Sequence, residues 1–224
     1  MADHPLATRE EHPLPASLMH WTHLLSIAVL TFTGFYIHWP FFEGAMGVMR
    51  NLHFVFAFIL IAVLVIRVYW AFLGAGSAPT GSRRKIRDYK FFGPQKENRG
   101  TLGGTLKYYL FLQKEAPTVS KYNGLQKATY IFWGLLIVVQ AITGFELWTP
   151  TASALLPLTY ALGGVIVVRM YHYLIMWVFL VTTALHIYLA VMHWDEFMMM
   201  FFGVKTRPRG AAAPSPSPAP ERTP

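Results

Sequence analysis

Residues 165–193 read VIVVRMYHYLIMWVFLVTTALHIYLAVMH, an apolar run long enough to cross a bilayer that carries two buried-depth imidazoles, His172 and His186. Their separation of fourteen residues amounts to about 1400° of helical rotation, within about 40° of a whole number of turns, so both rings leave the helix on one face. The rise over that interval is about 21 Å, which sets one ring near each side of a hydrocarbon core about 30 Å thick. Histidine inside lipid is costly and marks a functional position by default. Two on one face at opposite depths is an arrangement by which a single helix ligates two haems, one above the other. This stretch points to an all-α, integral membrane four-helix bundle.

The rest of the chain agrees. Its 224 residues are 54% hydrophobic and 16% aromatic but only 13% charged, too apolar for an ordinary soluble domain. There is no cysteine, which excludes covalent haem attachment through C-x-x-C-H, thiolate-bound iron–sulfur clusters and disulfides. Apolar runs of spanning length occupy 16–38, 52–73, 125–147 and 165–193, with Trp21, Trp39, Trp70, Trp148 and Trp194 at interfacial positions. An even number of spans places both termini and the middle loop on one side. That loop, 74–121, holds ten Lys or Arg, including Arg83, Arg84, Lys85, Arg87 and Lys90, and Lys205, Arg207, Arg209 and Arg222 follow the last span. The short connections hold Arg50 and Arg169 alone. The positive-inside rule then sets the termini and middle loop in the cytoplasm. The net charge of +8 reflects this topology and is no nucleic-acid signal.

The N-terminal stretch ADHPLATREEHPLP has no basic segment followed by an apolar run, so no cleaved signal peptide is expected. Three units result: a cytoplasmic segment 1–15, a four-span domain 16–203, and a Pro-rich tail 204–224. The tail's end, AAAPSPSPAPERTP, is expected to be disordered. Residues 102–113 (LGGTLKYYLFLQ) suit an amphipathic interfacial helix. The apolar stretch 149–164, broken by Pro150 and Pro157, reads as a loop on the outer surface or over a partner.

Span one contains TFTGFYIHWP (31–40) and span three AITGFELWTP (141–150). Aligning Gly34 with Gly144 sets Tyr130 where His20 stands, and aligning His53 with His172 sets Arg67 where His186 stands. A duplicated two-helix hairpin that lost one ligand position per copy explains this pattern. Chance recurrence of small and aromatic residues in spans explains it equally well.

Topology alone sorts the ligands. His20 opens a span running outward and lies near the cytoplasm, whereas His53 opens a span running inward and lies near the outer face. Same-depth pairing gives His53 with His172 and His20 with His186. Each pair can hold one haem iron through two neutral imidazoles. The alternative is a set of polar interhelical contacts. His23 competes with His20 from the same helix face, and His20 is favoured. His4, His12, His38 and His193 lie in tails or at span ends and read as interfacial or solvated. Gly34 and Gly144 admit either a flat macrocycle or a close helix neighbour. Arg67 reads either as snorkelling to headgroups or as a haem-propionate contact. Glu146 reads as interfacial, with a proton or propionate contact as the alternative.

These residues resemble the cytochrome b subunits of membrane-bound nickel–iron uptake hydrogenases, over about residues 15–203. The landmarks are HWTHLLSIAVLTFTGFYI from His20, MRNLHF around His53, IRVYWAFLG closing span two and KYYLFL in the middle loop. YNGLQKATY opens span three, ITGF lies near its end, and MYHYLIMW and LHIYLAV surround His172 and His186. The wider superfamily includes formate dehydrogenase gamma subunits and thiosulfate-reductase cytochromes b. There the histidines matching His20, His53, His172 and His186 bind the haem iron. Arg169 departs from the small polar residue many hydrogenase relatives carry three before the first span-four ligand, and the Pro-rich tail is an addition.

The resemblance implies two haem b groups and a respiratory role in the bacterial inner (plasma) membrane. Electrons from the hydrogenase's iron–sulfur small subunit, itself fed by the large subunit, enter at the outer face. They reach the His53/His172 haem, then the His20/His186 haem, then quinone on the cytoplasmic side. Asn123 and Gln126 are candidates to hydrogen-bond a quinone carbonyl, capping of span three being the competing role. The chain is expected to oxidise no substrate itself and to be catalytic only in quinone reduction. Its partners are the hydrogenase subunits, quinone and lipid, with no nucleic acid and with an oligomer of the complex compatible. Three alternatives stay open: the same role for a formate dehydrogenase, thiosulfate reductase or other molybdenum enzyme; a stand-alone transmembrane haem reductase; and a haem-free anchor.

Overall fold

The computed structural model describes residues 8–10, 13–79, 84–92, 98–115, 117, 122–192 and 194–202. The four expected spans are four long helices: α1 (Leu14–His38), α2 (Met46–Leu73), α5 (Gly124–Leu147) and α7 (Val165–Met192). All four are long and apolar enough to cross a membrane. Local chemistry fixes their ends. Pro15 sits in the first turn of α1, where no intrahelical donor is needed. Trp39 is extended (φ −139°, ψ 93°) because Pro40 follows it, and the helix stops there. Asn123 and Gln126 form a reciprocal capping box at the start of α5, each side-chain oxygen accepting from the other's backbone N–H at 2.8 and 2.9 Å. Gly163 and Gly164, at φ +102° and +93°, occupy the left-handed region immediately before α7.

Shorter elements complete the chain: strands β1 (Thr8–Glu10), β2 (Ala75–Pro79) and β3 (Ile86–Arg87), and helices α3 (Tyr89–Phe92), α4 (Thr101–Tyr109), α6 (Thr149–Ala161) and α8 (Trp194–Phe202). The strands form an antiparallel sheet in the order β1-β2-β3. Pairing of β1 with β2 holds the segment before α1 beside the loop after α2, on one side of the bundle as an even number of spans requires.

Two elements differ from the sequence expectation. Helix α2 starts six residues earlier than its apolar run, because polar Arg50 and Asn51 end a hydrophobic count without ending a helix. The stretch expected to be a loop at 149–164 is mostly helix α6. Pro150 falls in its first turn, where proline is tolerated, and only Pro157 is interior. The expected interfacial helix is α4, covering part of 102–113. The tail expected to be disordered lies outside the described residues.

Helices α1 and α2 form one hairpin and α5 and α7 pack as a second pair, with α2 against α5 between them. Leu60 from α2, Ile137 from α5 and Phe179 from α7 make the buried centre, packed by Ile27, Leu30, Leu64, Leu136 and Ile175. Phe179 lies seven residues from both His172 and His186, so this apolar cluster separates the two histidine levels.

A polar cluster ties the middle loop to the bundle. Arg67 of α2 is ion-paired with Asp88 at 2.9 Å, and the buried Tyr122 hydroxyl donates to the same carboxylate at 3.1 Å. Burial, reinforced by the Asp88 charge, holds the Tyr122 phenol well above its ordinary value of 10. It therefore stays a neutral donor, and the stability it contributes is present below pH 10 and lost as pH rises through the elevated value. Replacing Asp88 by alanine removes one partner from both Arg67 and Tyr122. The expected cost is about 2–3 kcal/mol, below the range for a wholly buried pair because Arg67 keeps some access to water. It is read as a lowered thermal unfolding midpoint in detergent, with Asp88→Glu retaining most of the stability.

Candidate functional site: two histidine pairs in one bundle

Helices α1, α2 and α7 bring the four sequence-selected histidines together as two pairs. The His53 and His172 ring centroids are 6.3 Å apart with planes tilted by 56°. Those of His20 and His186 are 6.1 Å apart and tilted by 55°. His23 is not part of the second pair: its Nδ1 lies 2.9 Å from the Met19 carbonyl of its own helix. His38 stacks on Tyr173 at 3.9 Å, and His4, His12 and His193 lie outside the described residues.

Ring spacing tests whether a metal fits between the imidazoles. Two metal–imidazole bonds of about 2 Å each, plus the half-width of each ring, separate the centroids by about 6 Å. Both pairs meet that spacing. Unligated histidines in direct contact need no such gap.

The His53/His172 pair, here the upper one, opens onto a cavity of about 880 Å³ lined mainly from α1, α2, α5 and α7, within the usual range of cofactor clefts, roughly 300–1,000 Å³. The walls are mostly apolar, with Phe58, Ile61, Phe145 and Met176 among them, while Arg50 and Arg169 also line it. Each arginine stands three residues before a histidine of that pair, about one helical turn away. They supply positive charge on the side of the rings toward the starts of α2 and α7, suited to a carboxylate-bearing ligand.

Gly34 and Gly144 both face histidines. A Cβ on Gly144 would stand 3.3 Å from His172 Cε1, and one on Gly34 would stand 3.6 Å from His53 Cε1 and 3.3 Å from Met176 Sδ. Each glycine thus makes room for the imidazole of its own hairpin as well as lining the cavity.

Sequence reasoning missed Thr33 and Thr143, the residues immediately before these glycines. Thr33 Oγ1 lies 2.9 Å from His53 Nδ1, and Thr143 Oγ1 lies 2.8 Å from His172 Nδ1. Each hydroxyl already donates its one hydrogen to carbonyls of its own helix: Val29 and Leu30 for Thr33, Val139 and Gln140 for Thr143. Each oxygen is therefore the acceptor, and each histidine carries its proton on Nδ1. Nε2 is left unprotonated, the state a metal ligand needs. The signal that marks these threonines is the repeated TGF itself, since both copies make the same contacts. Gln140 adds an amide N–H to the His172 carbonyl at 3.0 Å, locking α5 to α7 at this level.

The lower pair is built differently. Trp21 meets His20 edge-on at 5.3 Å, and Trp133 meets His186 edge-on at 5.7 Å. Among the described residues neither ring has a hydrogen-bond partner. Arg67 commits one guanidinium nitrogen to Asp88, while its other terminal nitrogen is buried with no hydrogen-bond partner among the described residues. That free arm keeps the propionate reading open, whereas simple snorkelling does not describe the ion pair.

Glu146 and the Asn123–Gln126 pair also have defined contacts. Glu146, read as interfacial, is 2% exposed. It accepts from Thr159 of α6 at 2.9 Å while its other oxygen has no hydrogen-bond partner among the described residues, because α6 folds back over the end of α5. Asn123 and Gln126 do cap α5, and their capping box uses only the side-chain oxygens.

A sequence profile of the prokaryotic cytochrome b561 family matches residues 11–203. A protein of Rhizobium leguminosarum bv. viciae named "Probable Ni/Fe-hydrogenase B-type cytochrome subunit" is 31% identical over 196 residues, covering 79% of this chain and 78% of the relative. A protein of the same name from Azotobacter vinelandii is 32% identical over 195 residues, with coverage of 79% and 78%. The "Probable Ni/Fe-hydrogenase 1 B-type cytochrome subunit" of Escherichia coli K12 is 27% identical over 196 residues, with coverage of 79% and 80%. Four membrane-length helices and paired histidines suit a membrane-bound b-type cytochrome, and the chain belongs to the prokaryotic cytochrome b561 family of membrane proteins.

Proposed function

We propose that this chain is the dihaem cytochrome b subunit of a nickel–iron hydrogenase and carries electrons from that enzyme to quinone. The single observation that carries the reading is the presence of two histidine pairs at metal-ligating spacing, 6.3 and 6.1 Å, on opposite levels of one bundle. The hydrogenase relatives supply the partner class.

Haem bound at each level supplies a one-electron iron carrier. His53 and His172 hold one group, and His20 and His186 hold the other. Gly34 and Gly144 clear space beside the first, and Arg50 and Arg169 counter negative charge at its outer side. Arg67 does the same at the second through its uncommitted nitrogen. Leu60, Ile137 and Phe179 exclude water between the levels. The basic middle loop and tail set these regions in the cytoplasm of a bacterium, so the hydrogenase and its iron–sulfur small subunit meet the opposite face. The amide protons of Asn123 and Gln126, which the capping box leaves out of use, face the task of holding a quinone carbonyl near the cytoplasmic level. Residues 16–203 form the functional domain, with 1–15 and 204–224 as appendages.

The test is purification of the full chain from its native membrane in mild detergent. The expected result is a reduced alpha band of b-type haem together with hydrogenase large and small subunits, and quinone-dependent reoxidation of the haem. Co-purification of a molybdenum oxidoreductase instead overturns the partner assignment, and absence of haem overturns the reading as a whole.

A further inference from the structure

We propose that Thr33 and Thr143 are positioning residues that lower the reduction potential of the haem held by His53 and His172, and of that haem alone. The proposal rests on the dihaem reading above and deepens it by making the two sites electronically unequal.

Thr33 is 1% exposed and Thr143 3% exposed, so water does not compete for their oxygens. Their hydrogens are bound to helix carbonyls at 2.7 and 2.9 Å, which fixes the oxygens as acceptors toward His53 and His172 at 2.9 and 2.8 Å. An acceptor on Nδ1–H draws that proton outward and makes Nε2 a stronger electron donor. A stronger donor favours ferric over ferrous iron, and so lowers the potential. Both axial ligands of one site receive this treatment. At the other site, neither His20 nor His186 has a hydrogen-bond partner among the described residues, and their nearest ring neighbours are Trp21 and Trp133. The pseudo-repeat explains the asymmetry: each TGF segment serves the histidine of its own hairpin at the same level, and no second copy exists at the other level.

The experiment is a potentiometric optical titration of the purified full chain, comparing wild type with the double variant Thr33→Val/Thr143→Val. Valine keeps the shape and removes the acceptor. Both haems are expected to remain, with one midpoint rising by about tenfold or more in its reduction equilibrium constant and the other unmoved. The moving component is the one missing in His172→Ala. Thr33→Ser/Thr143→Ser is expected to restore the original potential, which a purely space-filling role does not predict. Each single valine variant is expected to shift the same component by a smaller step, so the proposal stays testable where the double variant loses a haem. Two retained haems with unmoved potentials overturn this proposal alone, as does an equal shift of both components. Wild-type protein without haem overturns the dihaem reading and this proposal with it.

Discussion

His172→Ala is expected to remove one of two b haems, the one shared with His53, and to block electron entry from the hydrogenase while the second haem remains. His186→Ala is expected to remove the haem shared with His20, sparing the first and blocking quinone reduction. The selectivity follows from geometry. The two histidines are fourteen residues apart on α7, about 21 Å along its axis, and the buried cluster of Leu60, Ile137 and Phe179 fills the bundle between them. Neither variant removes an imidazole of the other level: His20 and His186 remain in the first, and His53 and His172 remain in the second. Each variant removes one of the two imidazoles that would hold the group at its level, and so weakens its retention there. Haem per chain by pyridine haemochrome, combined with redox titration, reads the outcome: one haem in each variant, with different midpoints. Two intact haems in either variant contradict the ligand assignment.

Gly144→Leu is expected to abolish haem binding by His53 and His172 with an effect nearly as large. A Cβ at this position already stands 3.3 Å from His172 Cε1, tighter than ordinary contact, and the leucine branches have only the ring and the cavity to enter. The imidazole must swing away, breaking its bond to Thr143. Gly34→Ala is the contrasting case. Its closest neighbour is the sulfur of Met176 at 3.3 Å, the mobile end of an unbranched side chain, and His53 lies at an ordinary 3.6 Å. Haem content near wild type is expected there. Equal loss in both variants would mean that the glycines serve helix packing in general instead of clearance for an imidazole.

The spans were legible because lipid demands length and apolarity, two properties that survive in sequence without knowledge of neighbours. The histidine pairs were legible for a related reason: helical periodicity places His172 and His186 on one face, and topology sorts His20 and His53 by depth. What sequence did not show depends on contacts between distant residues. Asp88 lies twenty-one residues from Arg67 in a loop with no periodicity. The strand pairing of Thr8–Glu10 with Ala75–Pro79 joins two short segments that lack an alternating pattern. Helix α6 was hidden by Pro150, whose first-turn position only the structure reveals. Thr33 and Thr143 read as ordinary small polar residues of a membrane helix until their oxygens are found beside His53 and His172.

The histidine pairs also explain why Glu146 and the capping residues are secondary. Glu146 is satisfied on one oxygen by Thr159, and Asn123 with Gln126 already stabilises the start of α5. Each has a structural occupation independent of electron transfer. His53 and His172, by contrast, have Nδ1 bound to Thr33 and Thr143 and ring centroids 6.3 Å apart.

Four imidazoles are proposed to clamp two iron porphyrins, one at each level of the bundle. Quantifying protohaem per polypeptide by pyridine haemochrome, on folded full-length chain produced with ample haem supply, tests it most directly. The account predicts two per chain; a value of zero contradicts it.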